Sequence, residues 1–251
     1  MDLEDLIEEI NEEYDKKTAK LNELHAAATT YRQKMRVAKK IAEQTGMTTE
    51  EVLIKNLIAV YPDGIIPEAD LKVLTVSALR HNYEYVSGVA ADAQAALNSE
   101  LGIGMKPVVP KFNSAAAEAI AEDAAKFGSV LEDGNLQKQI VTNSLQVLDD
   151  SVMANAEAHE NAGLEVRVIR VYDGVGLHNG KDPCQLCMSR SGEWSYADAQ
   201  SNSVFARHEG CGCEIYYKSS RNWEYSKGHG NQWRDVTEDE VVNKRIRYRK
   251  G

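Results

Sequence analysis

Four cysteines and one histidine fall into two short runs, Cys184-Gln185-Leu186-Cys187 and His208-Glu209-Gly210-Cys211-Gly212-Cys213. Two cysteines separated by two residues can place both thiolates on one metal from a tight turn. A second pair from a distant loop closes the tetrahedron. Gly210 and Gly212 relieve crowding around the second pair, because glycine tolerates the backbone angles a knuckle needs. Zinc suits this donor set: it accepts thiolates and is redox-silent. There are five soft donors for four places, so His208 stands in reserve for Cys211 or Cys213. A closed four-donor site leaves no open position for water, which makes the zinc structural rather than catalytic.

Three other uses of these cysteines compete with zinc. Disulfides need an oxidising compartment, and the acidic start Met1-Asp2-Leu3-Glu4-Asp5 is unlike a signal peptide. A redox Cys-x-x-Cys would leave the second pair unexplained. An iron–sulfur cluster uses the same donors. No phosphate-binding loop, dinucleotide-binding turn, His-Glu-x-x-His or Gly-x-Ser-x-Gly occurs, so no catalytic site is visible and the chain reads as a non-enzyme. The alternative is a metal-dependent nuclease or toxin-type effector, with Asp173, His178, His208 and Glu209 as its raw material.

The elements that must position these residues divide the chain into unlike pieces. Residues 1–163 carry a net charge of −12 and residues 164–251 one of +2, within a total of −10. The acidic piece does not attract nucleic acid by its overall field, which also argues against a DNA-binding regulator. From Leu3 to Met35 apolar residues recur at 4,3 spacing: Leu3, Ile7, Ile10, Tyr14, Leu21, Leu24, Ala28, Tyr31 and Met35. That spacing predicts one helix of about 40 residues with a seam for a partner helix. Part of the seam, at Leu3, Ile7 and Ile10, is expected to meet a second molecule, either another copy or a different protein. Thr48 with Glu51 fits a capping box for a second helix, ended by Pro62-Asp63-Gly64. A third helix is expected from Pro67 to Gly102, with Leu71, Leu74, Leu79, Tyr83 and Val86 inward. A fourth covers Ser114–Phe127. A fifth covers Leu136–Glu160, with Ile140, Leu145, Leu148 and Val152 inward. His25, His81 and His159 are isolated and read as ordinary helix histidines.

After Gly163 the period changes. Val166–Tyr172 and Glu214–Tyr217 read as strands. The expected fold is mostly α: a long-helix domain over 1–163, a small α+β zinc-knuckle module over 164–218, and an irregular basic-aromatic tail over 219–251. In that tail Lys244, Arg245, Arg247, Tyr248, Arg249 and Lys250 interleave cations with an aromatic, a pattern that can touch nucleic acid. No apolar run approaches the ~18 residues needed to span a bilayer.

The stretch from Leu164 to Tyr217 resembles the phage-Mu-F-like head morphogenesis family, also called minor head or minor capsid proteins. The resemblance rests on the strand Val166–Tyr172, Asp182 before Cys184 and Cys187, the His208-x-x-Cys211-x-Cys213 run, and the strand that follows. The chain departs from the family pattern at Glu209-Gly210, where Pro-Asn is frequent. The resemblance implies a structural component of a tailed-phage head, made in the host cytoplasm and located in the virion near the portal. The implied partners are the portal protein and the major capsid or scaffold proteins, with packaged DNA within reach of the tail. No enzymatic activity is implied for this region.

Overall fold

The computed structural model describes residues 3–63, 65–126, 135–172 and 184–221. The chain is mostly helical, with a small three-stranded antiparallel sheet and the cysteine cluster toward the C-terminal end. This is the expected fold class.

Helix α1 (Leu3–Ala27) and helix α2 (Tyr31–Val60) form an antiparallel hairpin. The expected single helix of about 40 residues is therefore broken after Ala27. The break has a local cause. Thr30 takes an extended conformation and accepts the Gln33 backbone N–H, while the Gln33 side chain accepts the Thr30 N–H at 3.2 Å. This reciprocal box satisfies two free donors at the start of α2. The box expected at Thr48 and Glu51 does not form, because α2 runs straight through it. The Thr48 hydroxyl donates instead to the Gln44 carbonyl, one turn back, at 2.8 Å.

The hairpin also changes the reading of the N-terminal seam. Leu6, Ile10, Tyr14 and Thr18 are buried one turn apart along a single ridge, with His25 buried further on, while Leu24 is half exposed. Tyr14 hydrogen-bonds Thr49 at 2.6 Å, Lys17 pairs with Glu51, and Glu9 meets Lys55 and Asn56. Ile10 lies in a core cluster with Val52, Leu53, Leu57 and Leu71 of the same chain. It is interior, and no second molecule can reach it. Ile7 is partly buried against the same cluster, and the Leu3 side chain lies outside the described residues.

Helix α3 (Glu68–Glu100) begins after Pro67 and ends where Gly102 turns left-handed at φ +61°. Leu71, Leu79 and Val86 are buried as expected; Leu74 and Tyr83 are partly so. Helix α4 (Ser114–Lys126) and helix α5 (Asn135–Asn161) follow, with Ile140, Leu145, Leu148 and Val152 all buried. Gly46, in the middle of α2, faces α5. A methyl group there would lie 2.9 Å from Val141 Cα and 2.8 Å from Ser144 Oγ. Glycine is what lets the two helices touch.

Strand β1 (Leu164–Val171) is central in the sheet, between β2 (Gly192–Ser195) and β3 (Glu214–Arg221), antiparallel to both. Helices α6 (Gln185–Arg190) and α7 (Tyr196–Ser201) connect them. Strand β3 outruns the expected Glu214–Tyr217, and β2, α6 and α7 were not expected. One core cluster crosses residue 163: Tyr31 and Met35 of α2, Ala93 and Leu97 of α3, and Val152 and Ala156 of α5 meet Val166 and Val168 of β1 and Tyr217 of β3. Among the described residues no helix is long and apolar enough to cross a membrane.

Candidate metal centre

Cys184 precedes α6 and Cys187 lies in its first turn, so the Cys187 backbone N–H can point at the Cys184 sulfur, 3.5 Å away. The second run forms a tight turn between α7 and β3. The Cys211 N–H donates to the His208 carbonyl at 3.1 Å, and Gly210 takes φ +72°, a left-handed value that favours glycine. The turn is anchored from two helices: the Gly210 N–H donates to Thr142 Oγ1 of α5, and Lys39 of α2 donates to the Gly212 carbonyl.

These turns bring all five expected donors together. Cys184, Cys187 and His208 form one group, and Cys187, Cys211 and Cys213 a second, each with its donor atoms within 4.8 Å of one another. His208 Nε2 lies 3.1 Å from the Cys184 sulfur and 3.0 Å from that of Cys187. The Cys187 and Cys211 sulfurs are 3.6 Å apart, far beyond the ~2.05 Å of a disulfide, and all four cysteines are free thiols. Cys187, Cys211 and Cys213 are buried. A cluster of soft, buried, unbridged donors at such separations fits a tetrahedral metal ion.

Three charged residues surround the cluster. Arg170, on β1, is almost wholly buried. Its Nη1 donates to the Val204 and Ala206 carbonyls at 2.5 and 2.8 Å. Its Nη2 points at the Cys211 sulfur at 3.2 Å and the Cys187 sulfur at 3.8 Å. Arg207 donates to the Cys211 and Cys213 carbonyls at 3.0 and 2.9 Å, and forks onto Asp149 of α5 at 2.5 and 2.9 Å. Spacing alone did not reveal these three. The available signal was the position of Asp149 on the inward face of α5, between Leu145 and Val152.

Protonation in the cluster is uneven. A hydrogen bond from Cys213, with Arg207 and Arg170 nearby, holds the Cys211 thiol at about 4 against the opposing effect of burial. Burial pushes Cys187 up to about 11. Metal binding must therefore displace protons, and loading falls as pH falls.

Of the residues available to an effector, Asp173 and His178 lie outside the described residues, as do Asp182 and the basic tail from Lys244 to Lys250. Glu209 is exposed and lines an open groove of about 370 Å³ with Ile120 and Asp123 of α4 and Thr142 of α5. Its side chain belongs to neither donor group. The three lone histidines are structural. His25 sits by Asp92, His81 bonds Asn11 at 2.7 Å, and His159 is buried, 2.9 Å from Asn98. No protein-family model, curated protein or solved structure matches the chain.

Proposed function

We propose that this chain is a structural protein whose C-terminal sheet is fastened by one zinc ion, and that it serves as a minor, portal-associated component of a tailed-phage head. The observation that carries the structural reading is the convergence of five soft donors in two groups that share Cys187. Four such donors are enough to fill a tetrahedral shell, and a filled shell has no position for a substrate. The phage reading adds the resemblance of Leu164–Tyr217 to head morphogenesis proteins. In this role the acidic helical body meets portal, capsid or scaffold proteins, and the basic tail faces packaged DNA.

The two halves of the reading have separate tests. Protein purified under reducing conditions should carry about one zinc per chain by elemental analysis. Metal-free protein with four freely titrating thiols and an unchanged melting temperature would remove the zinc. Purified heads of the encoding phage should contain the chain in few copies, and heads lacking it should fail in assembly or DNA delivery. Its absence from virions would remove the second half and leave the first standing.

A further inference from the structure

The two donor groups share Cys187, but they are not equivalent. Arg170 fronts the second one. Its Nη2 lies against the Cys211 and Cys187 sulfurs, and its guanidinium also hydrogen-bonds Cys213. The same side chain is fixed from behind by the Val204 and Ala206 carbonyls. A guanidinium held there occupies the place a metal would need among Cys187, Cys211 and Cys213, and two cations do not share one desolvated face.

The first group shows the opposite preparation. His208 aims Nε2 at the Cys184 and Cys187 sulfurs, while its Nδ1 lies 2.7 Å from the Glu209 carbonyl. A backbone carbonyl on the far ring nitrogen is how a metal-binding imidazole is oriented and given its tautomer. Zinc–sulfur bonds of ~2.3 Å in a tetrahedron put sulfurs about 3.8 Å apart. The Cys187–Cys211 separation of 3.6 Å is close to that edge. Cys187 belongs to both groups, so Cys211 is the thiol of the second that can reach the first across the Cys187 edge, closing on Cys184 and His208 as a metal binds, whereas Cys213 is hydrogen-bonded to Cys211.

We propose that the metal is held by Cys184, Cys187, His208 and Cys211, that Cys213 is an outer thiol donating to Cys211, and that Arg170 is the fixed counter-cation that selects this ligand set. The charges agree. Zinc with three thiolates and a neutral imidazole carries −1, which Arg170 balances, while Arg207 and Asp149 balance each other. Four thiolates would carry −2 and leave one charge buried and uncompensated. Arg170 is a positioning residue: it touches sulfur and not the metal.

This inference rests on the zinc reading, and one experiment separates the two. The full chain is loaded with cobalt(II), whose thiolate charge-transfer absorption grows with the number of bound sulfurs, and zinc affinity is measured by chelator competition. Cys213→Ser should keep the full charge-transfer intensity and nearly the parent affinity. Cys211→Ser should lose about one third of the intensity, one thiolate in three. Arg170→Met should weaken zinc by about tenfold or more, the usual effect of losing a ligand's partner. Arg170→Lys should recover most of that, although lysine cannot reproduce the fork onto Val204 and Ala206. Equal loss in Arg170→Met and Arg170→Lys would make Arg170 mere packing and overturn its role. Loss of intensity in Cys213→Ser with none in Cys211→Ser, or an unchanged zinc affinity in His208→Ala, would overturn the ligand set. A parent protein that takes up neither metal would overturn the zinc reading itself.

Discussion

The pair Arg207–Asp149 is the costliest commitment made by individual side chains. Both are almost completely buried, and the fork between them also holds the Cys211 and Cys213 carbonyls. Burial lifts the Asp149 carboxyl to about 6 while Arg207 opposes the rise, so the pair is ionised at neutral pH. Removing one partner strands the other's charge. Asp149→Asn should lower unfolding free energy by about 3 to 5 kcal/mol. Lys72→Ala, which breaks an exposed contact to Glu118, should cost far less. Urea denaturation of both variants checks the contrast, and equal losses would mean that Asp149 is not stranding a buried cation. The donors themselves were legible in the sequence because metal spacing is local. The charges that steady them were not: Arg170 is one of two arginines in a β-branched run, and only the fold turns it inward.

At the scale of elements, the close approach of α2 and α5 depends on Gly46. In an exposed helix interior, replacing glycine by alanine gains up to about 1 kcal/mol. Gly88 of α3 is such a case, since a methyl group there meets nothing within 4 Å. Gly88→Ala should raise the melting temperature. Gly46→Ala should lower it, at a cost of about 1 to 3 kcal/mol from overpacking against Val141. Thermal melts showing the same sign for both would mean that the helices separate freely. The long helices were readable because their period repeats over many turns. The break at Thr30 was not, because a Thr-x-x-Gln box lacks the force of proline or glycine as a sequence signal, and a stronger-looking Thr-x-x-Glu stood nearby. The elements β2, α6 and α7 have four to six residues, too few to show any period. The stripe Leu3-Ile7-Ile10 misled because a 4,3 seam and a ridge of every fourth residue share Ile10 and Tyr14.

Over the whole molecule, the bundle and the sheet meet at a polar knot as well as an apolar one. His159 of α5 touches Asn98, and Gln94 donates to the Tyr217 hydroxyl at 2.7 Å. Burial drives the His159 imidazole down from 6.5 to about 4. The unfolded chain therefore binds the proton first as pH falls. Stability is complete above about 6.5, declines between 6.5 and 4, and levels off below, for a total loss from this residue of about 3 kcal/mol. His25 and His81 are also depressed by burial and add in the same direction. Asp149, Asp150 and Glu50, raised by burial, act in the opposite direction over the same range, so the test is the difference: between pH 7 and pH 4 His159→Gln should lose less stability than the parent chain. An unchanged slope in the variant would assign the acid sensitivity elsewhere.

The core cluster that crosses residue 163 also carries an implication about time. Synthesis delivers the helices first, and the face made by Tyr31, Met35, Ala93, Leu97, Val152 and Ala156 has no cover until the sheet arrives. At ~5–20 residues per second, the stretch from Gly163 to Arg221 takes roughly three to twelve seconds to make. Strand β1 appears at the beginning of that interval and its neighbour β3 at the end. The nascent bundle thus keeps one apolar side uncovered by the sheet for seconds. The turn around Cys211 is made just before the last strand, so a metal held there would be captured as that face closes.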